Sequence, residues 1–164
     1  MANAMEGEYD VIVEIPKGSR VKYEYDASEG RVRVDRILSS AYVYPYNYGF
    51  IPNTLSEDGD PIDVIILGEY PFTPGCVVSC RVLGGLMTLD GGIMDVRLKN
   101  DPKIIMVPSS NIDWSQSGIQ EIPEMSKMII HDFFKNYKNN ESNKAVCVGK
   151  WLSKEEAMQC INYV

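Results

Sequence analysis

Four cysteines and one histidine are all that 164 residues offer to thiol or soft-metal chemistry. Cys76, Cys80, Cys147 and Cys160 form no C-x-x-C pair, and His131 lies near none of them in sequence. Zinc sites use closer ligand spacing, and a domain of this length holds a core without a disulfide framework. Four reduced thiols acting as small apolar side chains are expected, in a cytoplasmic protein. A nucleophilic Cys–His pair is open to any chain holding both residues, and nothing else here supports it. Positive charge is also in short supply: 23 acidic side chains face 16 basic ones, a net charge of −7. That argues against duplex nucleic acid or an anionic membrane as a partner, though not against a local basic pocket for a small phosphate. No stretch approaches the roughly 20 apolar residues of a transmembrane helix. The first eight residues lack the basic and apolar regions of a signal peptide. With no repeat, low-complexity tract or linker, one domain spanning residues 1–164 is expected.

What the chain does contain, from residue 10 to about residue 107, is short β-like runs broken by turn residues. The runs are Asp10–Ile15, Arg20–Tyr25, Arg31–Ile37, Ile62–Leu67, Cys76–Val82 and Lys103–Val107, with a further short strand at Lys144–Val148. In the second, Val21, Tyr23 and Tyr25 fall on one face and Arg20, Lys22 and Glu24 on the other, the period of a half-buried strand. Ser28-Glu29-Gly30 reads as a hairpin turn. Pro123 can open a helix in which Met125, Met128, Ile129, Phe133 and Tyr137 recur at helical spacing, a stripe expected to pack in the core. A last helix starts at Ser153, with Glu156 completing a capping box. Short strands followed by two helices predict a small barrel or curled sheet covered by helices.

The segment Glu57-Asp58-Gly59-Asp60-Pro61-Ile62-Asp63 sets Asp58, Asp60 and Asp63 within six residues, directly before an apolar strand. Like charges held together cost stability unless cations neutralise them, and oxygen-only ligands suit a hard ion such as Mg²⁺. A solvated acidic turn is the plainer reading, since Asp, Gly and Pro are ordinary turn formers. An EF-hand loop started at Asp58 fails, because Ile62 and Asp63 fall where an oxygen ligand and a glycine belong. A nucleophilic aspartate motif fails too, because here the strand follows the carboxylates.

Lys22 and Glu24 share the polar face of an early strand, and Arg36 continues the face of Val32 and Val34 as a cation. Arg offers phosphate a planar fork and Lys a movable charge, although each residue alone is more often a surface charge. Tyr42, Tyr44, Tyr46 and Tyr48 then crowd into seven residues. Their hydroxyls can donate to phosphate, or their rings can pack under a loop, as expected for Tyr42 and Tyr46.

Lys22-Tyr23-Glu24, Val34-Asp35-Arg36, Tyr44-Pro45-Tyr46-Asn47-Tyr48-Gly49, Asp58-Gly59-Asp60-Pro61-Ile62-Asp63-Val64 and Phe133-Phe134-Lys135-Asn136-Tyr137-Lys138 together resemble the family I soluble inorganic pyrophosphatases. The resemblance implies an α+β, mainly β fold: a five-stranded, closed, OB-like barrel with two flanking α-helices. It also implies Mg²⁺-dependent hydrolysis of pyrophosphate and a homo-oligomer, a hexamer in the compact bacterial type. Carried over by position, Asp58 and Asp63 match metal ligands, with Asp63 bridging two metals. Asp60 matches the group that accepts a proton from the attacking water, and Glu14 and Glu24 match further acidic residues of the pocket. Lys22, Arg36, Tyr48, Tyr137 and Lys138 match the groups that hold phosphate, and Tyr44 another tyrosine of the site.

The second acidic loop departs from the family pattern Asp-Glu-x-Gly-x-Asp-x-Lys. Counted from the left, Asp90 and Asp95 keep the spacing, with Gly91 in place of the Glu and Arg97 in place of the Lys. Counted from the right, Asp101 and Lys103 keep their place before the strand, with about four residues inserted. Asp90 with Asp101 and Lys103 is favoured, and Asp95 stays an alternative. Two other functions remain open: a barrel binding single-stranded nucleic acid through stacked tyrosines with Arg36 and Lys22 on the backbone, and a catalytically weakened relative. The carboxylates speak against the first, since Asp58, Asp60 and Asp63 would repel phosphates without metals.

Overall fold

The computed structural model describes residues 7–91, 99–110, 119–138 and 145–162. In chain order its elements are β1 (Glu8–Ile15), β2 (Val21–Asp26), β3 (Arg31–Ile37), β4 (Asn47–Ile51), β5 (Ile62–Ile66), β6 (Val77–Gly91), β7 (Lys99–Asn100), β8 (Lys103–Pro108), α1 (Glu124–Asn136), β9 (Ala145–Leu152) and α2 (Lys154–Asn162). β1, β4, β5, β8 and β6 pair in that sequence, and β1 pairs again with β6, so five strands form a ring. Numbered within the ring, the order is 1-2-3-5-4-1, and β5–β8 is its one parallel pair. This is the OB-like order that the resemblance implies. β7 and β9 extend the sheet from β6, and β2–β3 is a separate hairpin.

Side-chain parity sorts the core into two layers. Val11 and Val13, Ile51, Val64 and Ile66, Val82, and Ile104 and Met106 come from all five ring strands and form one buried cluster. That cluster is the interior of the ring, and Leu152, Ala157 and Ile161 of β9 and α2 close over it. The opposite parity (Tyr48, Ile65, Leu83, Ile105 and Val107) packs outward against Ile130, Phe133 and Phe134 of α1. Each such side chain taken out of water contributes about 1.5–3 kcal/mol before the entropy of ordering. Asp63 and Lys103 share the outward parity of Ile65 and Ile105, so the same alternation that fills the ring sets a carboxylate and an ammonium on its outer wall. Gly49 has a distinct reason to be glycine: a Cβ there would stand 2.1 Å from the carbonyl oxygen of Ile12 on the neighbouring strand.

Several expectations need correction. The run expected at Cys76–Val82 is, from Val77, only the opening of a fifteen-residue strand that continues to Gly91. Its Gly84-Gly85 pair hid the continuation, because glycine is depleted in strands, yet a Cβ on Gly84 would lie 2.6 Å from the Leu152 carbonyl oxygen. Asn47–Ile51, absent from the strands expected, is a wholly buried strand. Lys144 lies outside the described residues, and the strand after it runs on to Leu152. The helical stripe is misread at its start. Met125, Met128 and Ile129 are 66, 63 and 43 % exposed, while Ile130, Phe133, Phe134 and Tyr137 face the core. Arg36 does not continue the face of Val32 and Val34, because a bulge at Asp35 shifts the register: Tyr23 pairs with Val34 and Lys22 with Arg36. Cys147 is exposed rather than packed, while Cys80 is fully buried and its thiol pushed up to about 12 by burial. The β2–β3 turn at Ser28–Gly30 and the Ser153–Glu156 capping box form as expected, the box with reciprocal 3.1 Å bonds. No described helix is long and apolar enough to cross a membrane.

Candidate active site

The turn before β5 is tied by its own small polar residues. Thr54 Oγ1 donates to the Ile51 carbonyl at 2.6 Å and accepts the Ile62 N–H at 2.9 Å. Ser56 donates its N–H and its hydroxyl to the Asp60 carbonyl, and the hydroxyl also reaches Asp58 Oδ1. Asp58 Oδ1 accepts the Asp60 N–H at 3.0 Å. Gly59, at φ +89°, takes the left-handed conformation that lets the chain reverse between the two aspartates. The result is a rigid loop that holds Asp58 and Asp60 at the surface and delivers Asp63 to the outer wall of the ring.

Lys103 is the centre of the wall. Its Nζ donates to Asp63 Oδ2 at 2.8 Å, Asp101 Oδ2 at 2.9 Å and the Tyr48 hydroxyl at 2.9 Å. Burial alone would depress this lysine, but Asp63, Tyr48 and Asp101 outweigh it and hold the ammonium well above its ordinary range. Burial pushes the Asp101 carboxyl up, against the pull of Lys103. Aromatic rings brace the polar groups. Tyr44 packs 5.4 Å from Tyr48 and 4.7 Å from Phe133, which stacks on Tyr137 at 4.7 Å. Burial raises the hydroxyls of Tyr44, Tyr48 and Tyr137, so all three stay protonated donors at neutral pH.

A second ammonium closes one side, where Lys138 Nζ meets Asp90 Oδ2 at 3.1 Å. Burial depresses Lys138, with Asp90 opposing. The β2–β3 hairpin supplies Lys22 and Glu24, and Lys22 Nζ lies 3.3 Å from Asp35. Glu14 of β1 accepts the Tyr25 N–H at 2.8 Å. Burial lifts its carboxyl to about 7; Asp63 and Glu24 add to the lift, and the Tyr25 bond and Lys22 oppose it. Burial, then Asp58, Asp63 and Glu24, also raises Asp60.

These groups line one cavity of about 290 Å³. It contains Asp58, Asp60, Asp63, Asp90 and Asp101 together with Lys22, Glu24, Lys103, Lys138, Tyr44, Tyr48 and Tyr137, as well as Glu14. Arg36 is not part of its lining, but it is the register partner of Lys22, which is, and its charge is felt at Tyr44. Asp95 lies outside the described residues. Tyr42 bonds Asp132 at 3.1 Å and Tyr46 lies under Lys17, both packing roles. Sequence reasoning missed Glu57 and Asn100, which touch each other beside the cavity, because neither alone differs from an ordinary turn residue.

Seven carboxylates around so small a space carry more negative charge than Lys22, Lys103 and Lys138 balance, and their oxygens form a hard-cation donor set. Among the described residues no three His, Cys, Asp or Glu side chains converge on one point as a ready-made cage. Mg²⁺ is commonly bound by one or two carboxylates, its shell completed by water and phosphate oxygens.

Comparison with known proteins agrees with this chemistry. A family model described as inorganic pyrophosphatase matches residues 11–164. The chain is 43 % identical to the inorganic pyrophosphatase of Saccharolobus solfataricus over 94 % of its own length and 88 % of the relative's. It is 43 % identical to that of Rickettsia typhi over 98 % and 89 %. The crystal structure of inorganic pyrophosphatase from Thermus thermophilus superposes with a TM-score of 0.89 at 37 % identity, covering 98 % of this chain and 90 % of that one.

Proposed function

The chain belongs to the inorganic pyrophosphatase family, and from that premise we propose that the acidic cavity hydrolyses inorganic pyrophosphate to two phosphates with Mg²⁺ as its ion. The observation that carries this reading is the meeting of carboxylates, three ammonium groups and three tyrosine hydroxyls in one cavity. Asp58, Asp63, Asp90 and Asp101 would hold the ions, with Asp95 an alternative. When bound, Mg²⁺ would neutralise phosphate charge and lower the pKa of the water it holds.

The protein groups do the rest. Asp60 accepts the proton of the attacking water, aided by the lift that burial and its acidic neighbours give its carboxyl. Lys22, Lys103 and Lys138 steady phosphate oxygens and the charge that builds on the departing phosphate. Tyr44, Tyr48 and Tyr137 keep their protons and donate, while their rings exclude water. Glu24 adds a further carboxylate to the pocket, and Arg36, the register partner of Lys22, adds a second cation of the hairpin to hold phosphate. One O–P bond forms to the water oxygen as the bridging P–O bond breaks. The bridging oxygen leaves with the second phosphate.

The same carboxylates disfavour a single-stranded nucleic-acid groove, which needs continuous positive charge along the backbone. We place the enzyme in the cytoplasm, as one domain acting in a homo-oligomer, a hexamer by resemblance. The exposed Met125, Met128 and Ile129 on α1 support association, which light scattering would size. The direct test is phosphate release from pyrophosphate with Mg²⁺ varied from zero, and ATP and tripolyphosphate as controls. Mg²⁺-dependent release from pyrophosphate is expected. No release from folded protein with Mg²⁺, Mn²⁺ or Zn²⁺ would overturn the proposal in favour of a weakened relative.

A further inference from the structure

Two stretches of chain enter the acidic cavity side by side: residues 54–61 ahead of β5 and residues 99–102 ahead of β8. Strand register fixes where β5 and β8 run, from Asp63 opposite Lys103 onward. It does not fix the turns before them, which carry Asp58, Asp60 and Asp101. Among the described residues, a pair of hydrogen bonds joins those turns. Asn100 donates its backbone N–H to Glu57 Oε2 at 2.8 Å and its side-chain Nδ2 to Glu57 Oε1 at 3.2 Å.

The positions of the pair matter more than its strength. Glu57 immediately precedes Asp58, and Asn100 immediately precedes Asp101. Asn100 is also the register partner of Leu89 on β6, next to Asp90. A single carboxylate, with both oxygens engaged, therefore ties the turn that carries Asp58 to the segment that carries Asp101, which its own pairing and the Asp101–Thr88 bonds already hold to the strand of Asp90. Neither Glu57 nor Asn100 lines that cavity; both line a separate, more apolar hollow of about 550 Å³ behind it. A fourth acid placed beside Asp58 adds to the repulsion there, which makes a structural use for both its oxygens the more telling. Residues that hold metal ligands from behind commonly change metal affinity 10–100-fold when removed.

We infer that Glu57 is a positioning residue that sets the spacing of Asp58 against Asp101 and so tunes the affinity of the site for its ion. This rests on the pyrophosphatase reading of the cavity, and it assigns Glu57 no contact with substrate.

The test is Mn²⁺ titration of the substrate-free protein, followed by electron paramagnetic resonance, in wild type, Glu57→Ala, Glu57→Gln, Asn100→Ala and the Glu57→Ala/Asn100→Ala double variant. The alanine variants should bind Mn²⁺ about 10-fold or more weakly. The double variant should be no weaker than the worse single one, as two ends of one interaction require. Glu57→Gln keeps one acceptor for the Asn100 N–H and should fall between. In turnover assays the Mg²⁺ needed for half-maximal rate should rise by the same factor, with the pyrophosphate KM at saturating metal unchanged. Wild-type Mn²⁺ affinity in both alanine variants, or losses that add in the double, would overturn the inference while leaving the function intact if the wild type still hydrolyses pyrophosphate. A wild type that neither binds Mn²⁺ nor releases phosphate would overturn both.

Discussion

Asp63 and Lys103 stand opposite each other across the ring's one parallel strand pair, and their side chains meet at 2.8 Å. The ion pair is thus a product of register: sliding β8 by one residue would turn Lys103 into the ring interior and Ile104 into the cavity. Lys103→Met should expose what the pair does for the fold. Two carboxylates, one of them buried, lose their shared cation, and a loss of about 3–5 kcal/mol is expected for a buried charge left without its partner. Urea unfolding in EDTA measures it. The deficit should shrink when Mg²⁺ is added, because the ion supplies the missing positive charge. A stability equal to wild type in EDTA would contradict the role given to Lys103.

Glu14 makes the ion-free protein sensitive to pH. Burial raises its carboxyl from the ordinary 4.5 to about 7, so the folded state prefers it protonated. A raised carboxylate leaves stability intact below pH 4.5 and erodes it as pH climbs through 7. Glu14→Gln removes the ionisation, and above pH 8 the variant should exceed wild type by on the order of 3 kcal/mol in EDTA, with little difference near pH 4. Equal pH profiles for the two proteins would show that Glu14 is not held in its protonated form.

Asp60→Asn addresses the chemistry. Asp60 lies on the exposed face of its loop, and its backbone N–H and carbonyl, not its carboxylate, make the turn's bonds. Melting should be unchanged, while turnover falls by about 10²–10⁴-fold, the usual contribution of a general base. A variant that retains most of its rate would remove Asp60 from that role.

Gly49 and Gly59 offer a contrast in why a glycine is needed. Gly49→Ala drives a methyl into the Ile12 carbonyl oxygen and should cost at least about 3 kcal/mol, since β1 and β4 must part. Gly59→Ala meets nothing within 4 Å and bears only the left-handed backbone cost, about 1–2 kcal/mol. Thermal melts of the two variants in EDTA would test the order, and a reversal would refute the close packing of β1 on β4.

Much of this was legible in the sequence where a residue's chemistry and its spacing agree. Asp58, Asp60 and Asp63 announced themselves because three carboxylates at a strand mouth need a cation. Lys22 and Glu24 followed from strict alternation. Alternation failed where the backbone broke it: one extra residue at Asp35 moved Arg36 to the other face. Composition misled at Gly84-Gly85, where glycines that usually end a strand instead admit Leu152 and Ile119 against it. The helix stripe shows the limit of periodicity, which finds a face but not what covers it; Met125 and Met128 look outward. The Glu57–Asn100 bond could not be read at all, because it joins residues 43 apart whose meeting depends on β5 and β8 lying side by side.

β6 pairs with four other strands, and its seam with β1 joins Glu8 to Arg81. The order of assembly follows from that span. β4 and β5 are near neighbours in the chain and can meet early, bringing Asp58, Asp60 and Asp63 with them. Asp101 and Lys103 arrive only with β8, after a long loop has been closed at entropic cost. Distant pairings of this kind put barrels among the slower folders, in milliseconds to seconds. The aspartates of the first turn must therefore wait, mutually repelling, for the lysine that neutralises them. A divalent ion present during refolding should shorten that wait, which stopped-flow mixing with and without Mg²⁺ would register.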